Sequence, residues 1–236
     1  MRPSLLRALL SGALLFATGC STVHGVRPIG KGAVQVDASL GGPILQLFGA
    51  PVPLPLTTVG ATVGVSDRTN VHAAVHPSAI ALFGVFAADA GVSTQLLAQK
   101  ATRPRLMADL TVVGAGGDRA PDGPNGGAEG GVRFFARPTV TASWDWGKDA
   151  RHALYTSLGG FIEPYPGPRA LGTVAIGNQW GIGRKVHLTT QFEWIAPYAS
   201  SAALTPQYYA PGDMGAIAFQ LGFGARAFTP HSAVAP

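Results

Sequence analysis

From residue 31 to residue 228 the chain returns again and again to one pattern: apolar and polar residues alternate with a period of two, in stretches of about ten residues. That is the period of a β-strand, whose successive side chains point to opposite faces. A spacing of 3.6 residues is not sustained anywhere after Cys20, and no remaining apolar run approaches the ~18 residues of a membrane-crossing helix. The 32 glycines and 19 prolines disfavour a helical bundle further. The predicted strands cover 31–40, 57–66, 70–77, 85–96, 105–114, 131–146, 153–162, 170–181, 185–195 and 215–228.

The alternation assigns faces. In the ninth segment Val186, Leu188, Phe192 and Trp194 share one side, and His187, Thr189, Gln191 and Glu193 the other. In the sixth, Val132, Phe134, Val140, Trp144 and Trp146 alternate with Arg133, Arg137, Thr139, Thr141, Ser143 and Asp145. The connections alternate too. Short, basic turns recur at 67–69, 97–104, 147–152 and 182–185, while 41–56, 78–84, 115–130, 163–169 and 196–214 are longer. Aromatic residues fall near segment ends. Only 12% of residues are charged, against about 25% in soluble domains. Together these features predict an all-β fold: an antiparallel transmembrane β-barrel of about ten strands, with short periplasmic turns and longer outer loops. A soluble sandwich or lipocalin-like barrel would also alternate, but with its apolar face inward.

The N-terminus carries an address. Arg2 and Arg7 precede an apolar run from Ala8 to Ala17, the layout of a signal peptide. Ala17-Thr18-Gly19-Cys20 resembles the lipobox of bacterial lipoproteins. The resemblance implies cleavage before Cys20 and lipidation of its thiol, with Ser21 pointing to the outer membrane. Cys20 is the only cysteine, which excludes an internal disulfide framework and a cysteine-based zinc site. From 31 onward the chain is similar to the broad group of small bacterial outer-membrane β-barrels, and Val63-Gly64-Val65-Ser66-Asp67-Arg68 looks like their short turns. The expected organisation is a signal peptide at 1–19, a lipid-anchored tether at 20–30, a barrel at 31–228 and a tail at 229–236. Phe228 would be the last strand residue.

A formal charge of +5 with no basic run gives no footprint for nucleic acid. The expected partners are outer-membrane lipids and, through bridging cations, lipopolysaccharide. Asp118, Asp122, Asn125 and Glu129 in loop 115–130 are oxygen donors, but their spacing fits no calcium loop. Loop 41–56 is apolar and reads either as an insert into the barrel mouth or as a bent extension of the flanking strands.

A barrel this narrow must satisfy its polar interior internally. The expected network comprises Asp37, Asp89, Asp109, Arg133, Arg137 and Glu193, with the carboxylates gathered about the two arginines and Asp109 within reach of Arg137. His72 and His76 share a face about 13 Å apart, too far to ligate one metal. An enzyme reading would join His76 to Asp89 and Ser93 as base, orienter and nucleophile, but no motif of a barrel-embedded lipid-modifying enzyme is present. The sequence therefore predicts a non-enzymatic outer-membrane barrel without cofactor, with a structural or ligand- or partner-binding role through its outer loops. The alternative is a narrow pore for small solutes.

Overall fold

A computed structural model describes residues 25–47, 50–116, 132–147, 150–164, 169–183, 185–200 and 210–228. Cys20, loop residues 117–131, residues 201–209 and the tail 229–236 lie outside the described residues. The elements run β1 (Val34–Leu47), β2 (Ala50–Pro53), β3 (Leu56–Gly64), β4 (Thr69–Val75), α1 (Pro77–Phe83), β5 (Phe86–Leu97), β6 (Arg105–Gly116), β7 (Val132–Trp146), β8 (His152–Glu163), β9 (Arg169–Ile182), β10 (Val186–Ser200) and β11 (Met214–Phe228). Each strand pairs antiparallel with its neighbour from β3 to β11, β1 pairs with β3, and β11 returns to β1. That last ladder, from Val34↔Phe228 to Pro43↔Ala218, closes ten strands into a barrel and leaves no free edge. The predicted strands and the ten barrel strands coincide to within about three residues at every end but two: β1 runs on to Leu47 and β10 to Ser200, and β2 has no predicted counterpart. Both barrel ends of the chain lie on the short-turn side.

One connection follows one of its two readings and another differs from expectation. Residues 41–56 are a bent extension of the flanking strands and not a free loop. β1 runs on to Leu47 and folds back through β2, pairing Ile44 with Pro53 and Leu47 with Ala50. This hairpin turns Leu45 into a cluster with Leu56, Ile195, Ala196 and Ala216, so the apolar residues of the segment close the long-loop mouth. The connection at 78–84 holds a seven-residue helix, α1. Pro77 opens it, where a missing N–H costs nothing. Gly84 ends it at φ 66°; the Gly84 N–H donates to the Ile80 carbonyl at 2.9 Å and the Val85 N–H to the Ala79 carbonyl at 3.2 Å. Ala79 packs inward on Val85, Ala87 and Ala115. A helix of two turns is too short to show as a period in the sequence.

The surface is the inverse of a soluble protein's. Val63, Leu110, Val140, Leu158, Ile176, Phe192 and Phe223 are exposed on the outer wall, while Thr62, Asn70, Thr141, Gln191, Glu193 and Gln220 are buried inside. No helix among the described residues is long and apolar enough to cross a membrane. The strands alone present an apolar belt.

Candidate functional site: the barrel lumen

Glycines make room for the rings that fill the lumen. His72, Tyr155 and His187 point inward, and each stands directly across its hairpin from a glycine: Gly91, Gly177 and Gly224. A Cβ at Gly91 or Gly177 would fall on the His72 or Tyr155 ring, and one at Gly224 on His187. Flat side chains can therefore lie against the wall instead of standing across a narrow interior.

At mid-height the Arg137 guanidinium (β7) donates through Nη2 to Glu193 Oε1 (β10) at 2.9 Å, and its carbon sits 5.1 Å from the centre of the Phe161 ring. Gln191 extends the network. Its Nε2 reaches Glu193 Oε2 at 3.5 Å, and its Oε1 accepts the Tyr155 hydroxyl at 3.0 Å. Tyr155, Gln191 and Glu193 are all at or below 2% exposed, packed against one another inside the barrel. Beside them Thr111 donates to Asp109 Oδ1 at 2.8 Å and meets His72 Nε2 at 3.0 Å, with Asp109 Oδ2 3.8 Å from His72 Nδ1.

This corrects the expected partners. Asp109 lies opposite Thr139 in the β6–β7 ladder and serves His72 and Thr111. Arg137 takes its carboxylate from Glu193 on the far wall. Asp89 turns to His76, at 2.8 Å from Nε2, and Arg133 pairs with Glu163 at 3.5 Å near the long-loop mouth. Asp37 accepts from Gln35 at 2.7 Å and Thr62 at 3.0 Å near the short-turn end. Of the six, Arg137 and Glu193 thus share one cluster, and Asp37, Asp89, Asp109 and Arg133 have contacts elsewhere, because strand tilt and sequence distance set which walls face each other.

The enzyme reading also changes. Ser93 lies opposite Asn70 and accepts from its side-chain amide at 3.3 Å; it does not meet His76. The hydroxyl beside His76 Nδ1 is that of Thr58, at 3.2 Å. Thr58, His76 and Asp89 are at or below 5% exposed, beneath the apolar closure at the long-loop end. Among the described residues no group of His, Cys, Asp and Glu is suited to hold a metal ion.

The short-turn end holds what sequence reasoning missed. Residues 25–32, the end of the expected tether and the first two residues of the expected first strand, cross the lumen. Val26 packs on Ala153 and Tyr155, and its carbonyl accepts from Ser143 at 3.0 Å. Arg27 donates from Nε to Gln179 Oε1 at 2.9 Å, from Nη1 to the Ala150 carbonyl at 2.9 Å and from Nη2 to the Arg151 carbonyl at 3.4 Å. The Ile29 N–H donates to Asn70 Oδ1 at 3.1 Å on the opposite wall. Gly32 donates to the Gly64 carbonyl at 2.7 Å, and a Cβ at Gly64 would fall on the Gly30 carbonyl. The available signal was a second inward glycine on β3 at a place where no inward ring stands opposite.

Between this segment and the wall lies a cavity of about 440 Å³, lined by Gln35, Asp37, Thr62, Gln179, His187 and Arg226 among others. Arg105 forms a two-point ion pair with Asp145 at 3.0 and 2.7 Å, and Arg27 lies 3.8 Å from the same carboxylate. Burial pulls the Arg27 guanidinium below its ordinary value. Asp145 opposes the shift, and the neighbouring charges of Arg105 and Arg226 add to it.

No protein-family model matches the chain, and no curated protein matches it. Among solved structures it is similar to the translocator domain of the autotransporter NalP from Neisseria meningitidis, at 10% identity and a TM-score of 0.44, covering 86% of this chain and 91% of that one. It is similar to the NanC porin at 8% identity and a TM-score of 0.45, covering 82% and 99%. It is also similar to the outer membrane protease OmpT from Escherichia coli at 12% identity and a TM-score of 0.36, covering 82% and 94%.

Proposed function

We propose that the protein is a non-enzymatic β-barrel lipoprotein of the bacterial outer membrane, anchored additionally through Cys20, with a structural or binding role through its outer loops. Its short turns face the periplasm and its partners are outer-membrane lipids and lipopolysaccharide. The apolar belt around a polar interior supports the membrane setting, since such a surface has no place in water. One observation carries the non-conducting role: the Tyr155–Gln191–Glu193–Arg137 network fills the middle of the lumen with buried side chains that satisfy one another. A hydrated pore would leave its charges solvated, not paired and dry. The filled lumen speaks against the solute-pore alternative. The burial of Thr58, His76 and Asp89 speaks against hydrolysis.

Planar-bilayer recording of the purified barrel tests the reading. No stepwise conductance is expected; discrete channels would overturn it. Incubation with phospholipid and with lipopolysaccharide should release no product, and turnover would make the protein an enzyme. Labelled fatty acid should enter the wild type and not Cys20→Ser. Unlabelled wild type would remove the lipoprotein part and leave the barrel.

A further inference from the structure

Inward arginines on the strands of this barrel have carboxylate partners, with one exception. Arg105 holds Asp145, Arg133 holds Glu163 and Arg137 holds Glu193. Arg226 on β11 is half-buried and points into the cavity at the short-turn end. Among the described residues no carboxylate pairs with its guanidinium; its backbone pairs opposite Gln35 in the closing ladder, and its N–H donates to the Lys185 carbonyl at 2.7 Å. Asp37, which lines the same cavity, accepts from Gln35 through one carboxylate oxygen and from Thr62 through the other, and lies 4.0 Å from His187 Nε2.

We propose that this chamber binds a small anion bearing a phosphate or carboxylate group, with Arg226 as its principal recognition residue. The volume of about 440 Å³ falls within the range of small-molecule sites, about 300–1,000 Å³. Arg27 in the lining already lies 3.8 Å from Asp145, so the Arg226 guanidinium is the charge the chamber offers to an anion. Arg27 is committed to Gln179 and two backbone carbonyls, where it fixes the crossing segment and shapes one side. The planar fork of Arg226 can grip two oxygens of one oxyanion at once. Gln35 and Thr189 line the same space and suit the hydroxyls of an organic acid or phosphorylated compound. Ala150 and Gly183, from two short turns, also line it, so the ligand enters from the short-turn side. The mid-lumen network closes the other side. The chamber is a dead-end pocket and is independent of the outer loops.

Isothermal titration of the full-length barrel in detergent micelles tests this, with inorganic phosphate and with citrate, against sodium chloride at matched ionic strength. Saturable binding of at least one of the two anions is expected. Phosphate alone names a phosphoryl ligand, citrate alone a carboxylate, and both a general oxyanion site. Arg226→Gln should weaken binding by about tenfold or more, as loss of a charge-assisted pair implies. Arg133→Gln, at the opposite mouth, should bind as the wild type. Heat-modifiable gel mobility reports whether each variant is folded. If Arg226→Gln fails to fold, Arg226→Lys keeps the charge and loses the fork, and its affinity should fall. The proposal is overturned if neither anion binds above the chloride control, or if the folded Arg226 variant keeps wild-type affinity.

Discussion

Arg137 and Glu193 meet across the lumen with Nη2 and Oε1 2.9 Å apart, joining β7 to β10 through the interior and not along the wall. The side chains are 7% and 1% exposed, so neither charge has water to fall back on. The Phe161 ring lies under the guanidinium and excludes water from that side as well.

Arg137→Ala should therefore cost about 3–5 kcal/mol, the usual penalty of leaving one partner of a buried pair uncompensated. Thermal unfolding of the barrel checks it. Adding Glu193→Ala should restore part of the loss, whereas Asp109→Ala should restore none, because Asp109 serves His72 and Thr111. Equal rescue by both would mean that the charges interact diffusely and that the 2.9 Å contact is not decisive.

Tyr155→Phe removes the hydroxyl that Gln191 Oε1 accepts and leaves a buried amide short of a donor. A loss of about 1–3 kcal/mol is expected, with the fold intact. Gly177→Ala should do similar damage from the other strand, by about 1–3 kcal/mol, because its methyl would meet the Tyr155 ring. In the Tyr155→Ala background the Gly177→Ala cost should fall but not vanish, because the methyl still meets the Thr190 carbonyl; an undiminished cost would place all of the strain in the backbone.

Gly64→Val should expel the crossing segment, since its side chain would occupy the Gly30 carbonyl. Cysteine placed at Asn70, which is 1% exposed beneath that segment, should then react with aqueous thiol reagents much faster than in the parent. Arg27→Ala should act in the same direction more weakly. Unchanged labelling in both would show that the segment does not seal this end.

Facing can be measured directly. Spin labels at Val63, Phe192 and Leu221 should be reached by oxygen dissolved in the bilayer, and labels at Gln191 and Gln220 by neither oxygen nor aqueous nickel complexes. Ile176→Arg on the outer wall should cost about 2–4 kcal/mol if that position lies near the bilayer midplane. Aqueous access to the first set in native membranes would remove the bilayer from around the belt.

Much of this was written in the chain itself. Period two along Val186–Ile195 is a backbone property, because each strand residue must point opposite to its neighbour, so the facing of Gln191 and Phe192 could be read without knowing their surroundings. Turn lengths fixed which ends of the strands lie together, and an even strand number put both chain ends on one side. What the sequence left open is everything that crosses the interior. Glu193 reaches Arg137 from 56 residues away, and the choice between Glu193 and Asp109 depends on strand tilt and closure, which no local pattern encodes. Residues 25–30 carry no alternation and read as a tether. Only the closed barrel supplies the carbonyls, the Gln179 amide and the Asn70 side chain that draw Arg27 and Ile29 inside. Period and facing are local, and the sequence determined them. Partners across a lumen exist only once the ring of strands has closed, and the tertiary structure decided those.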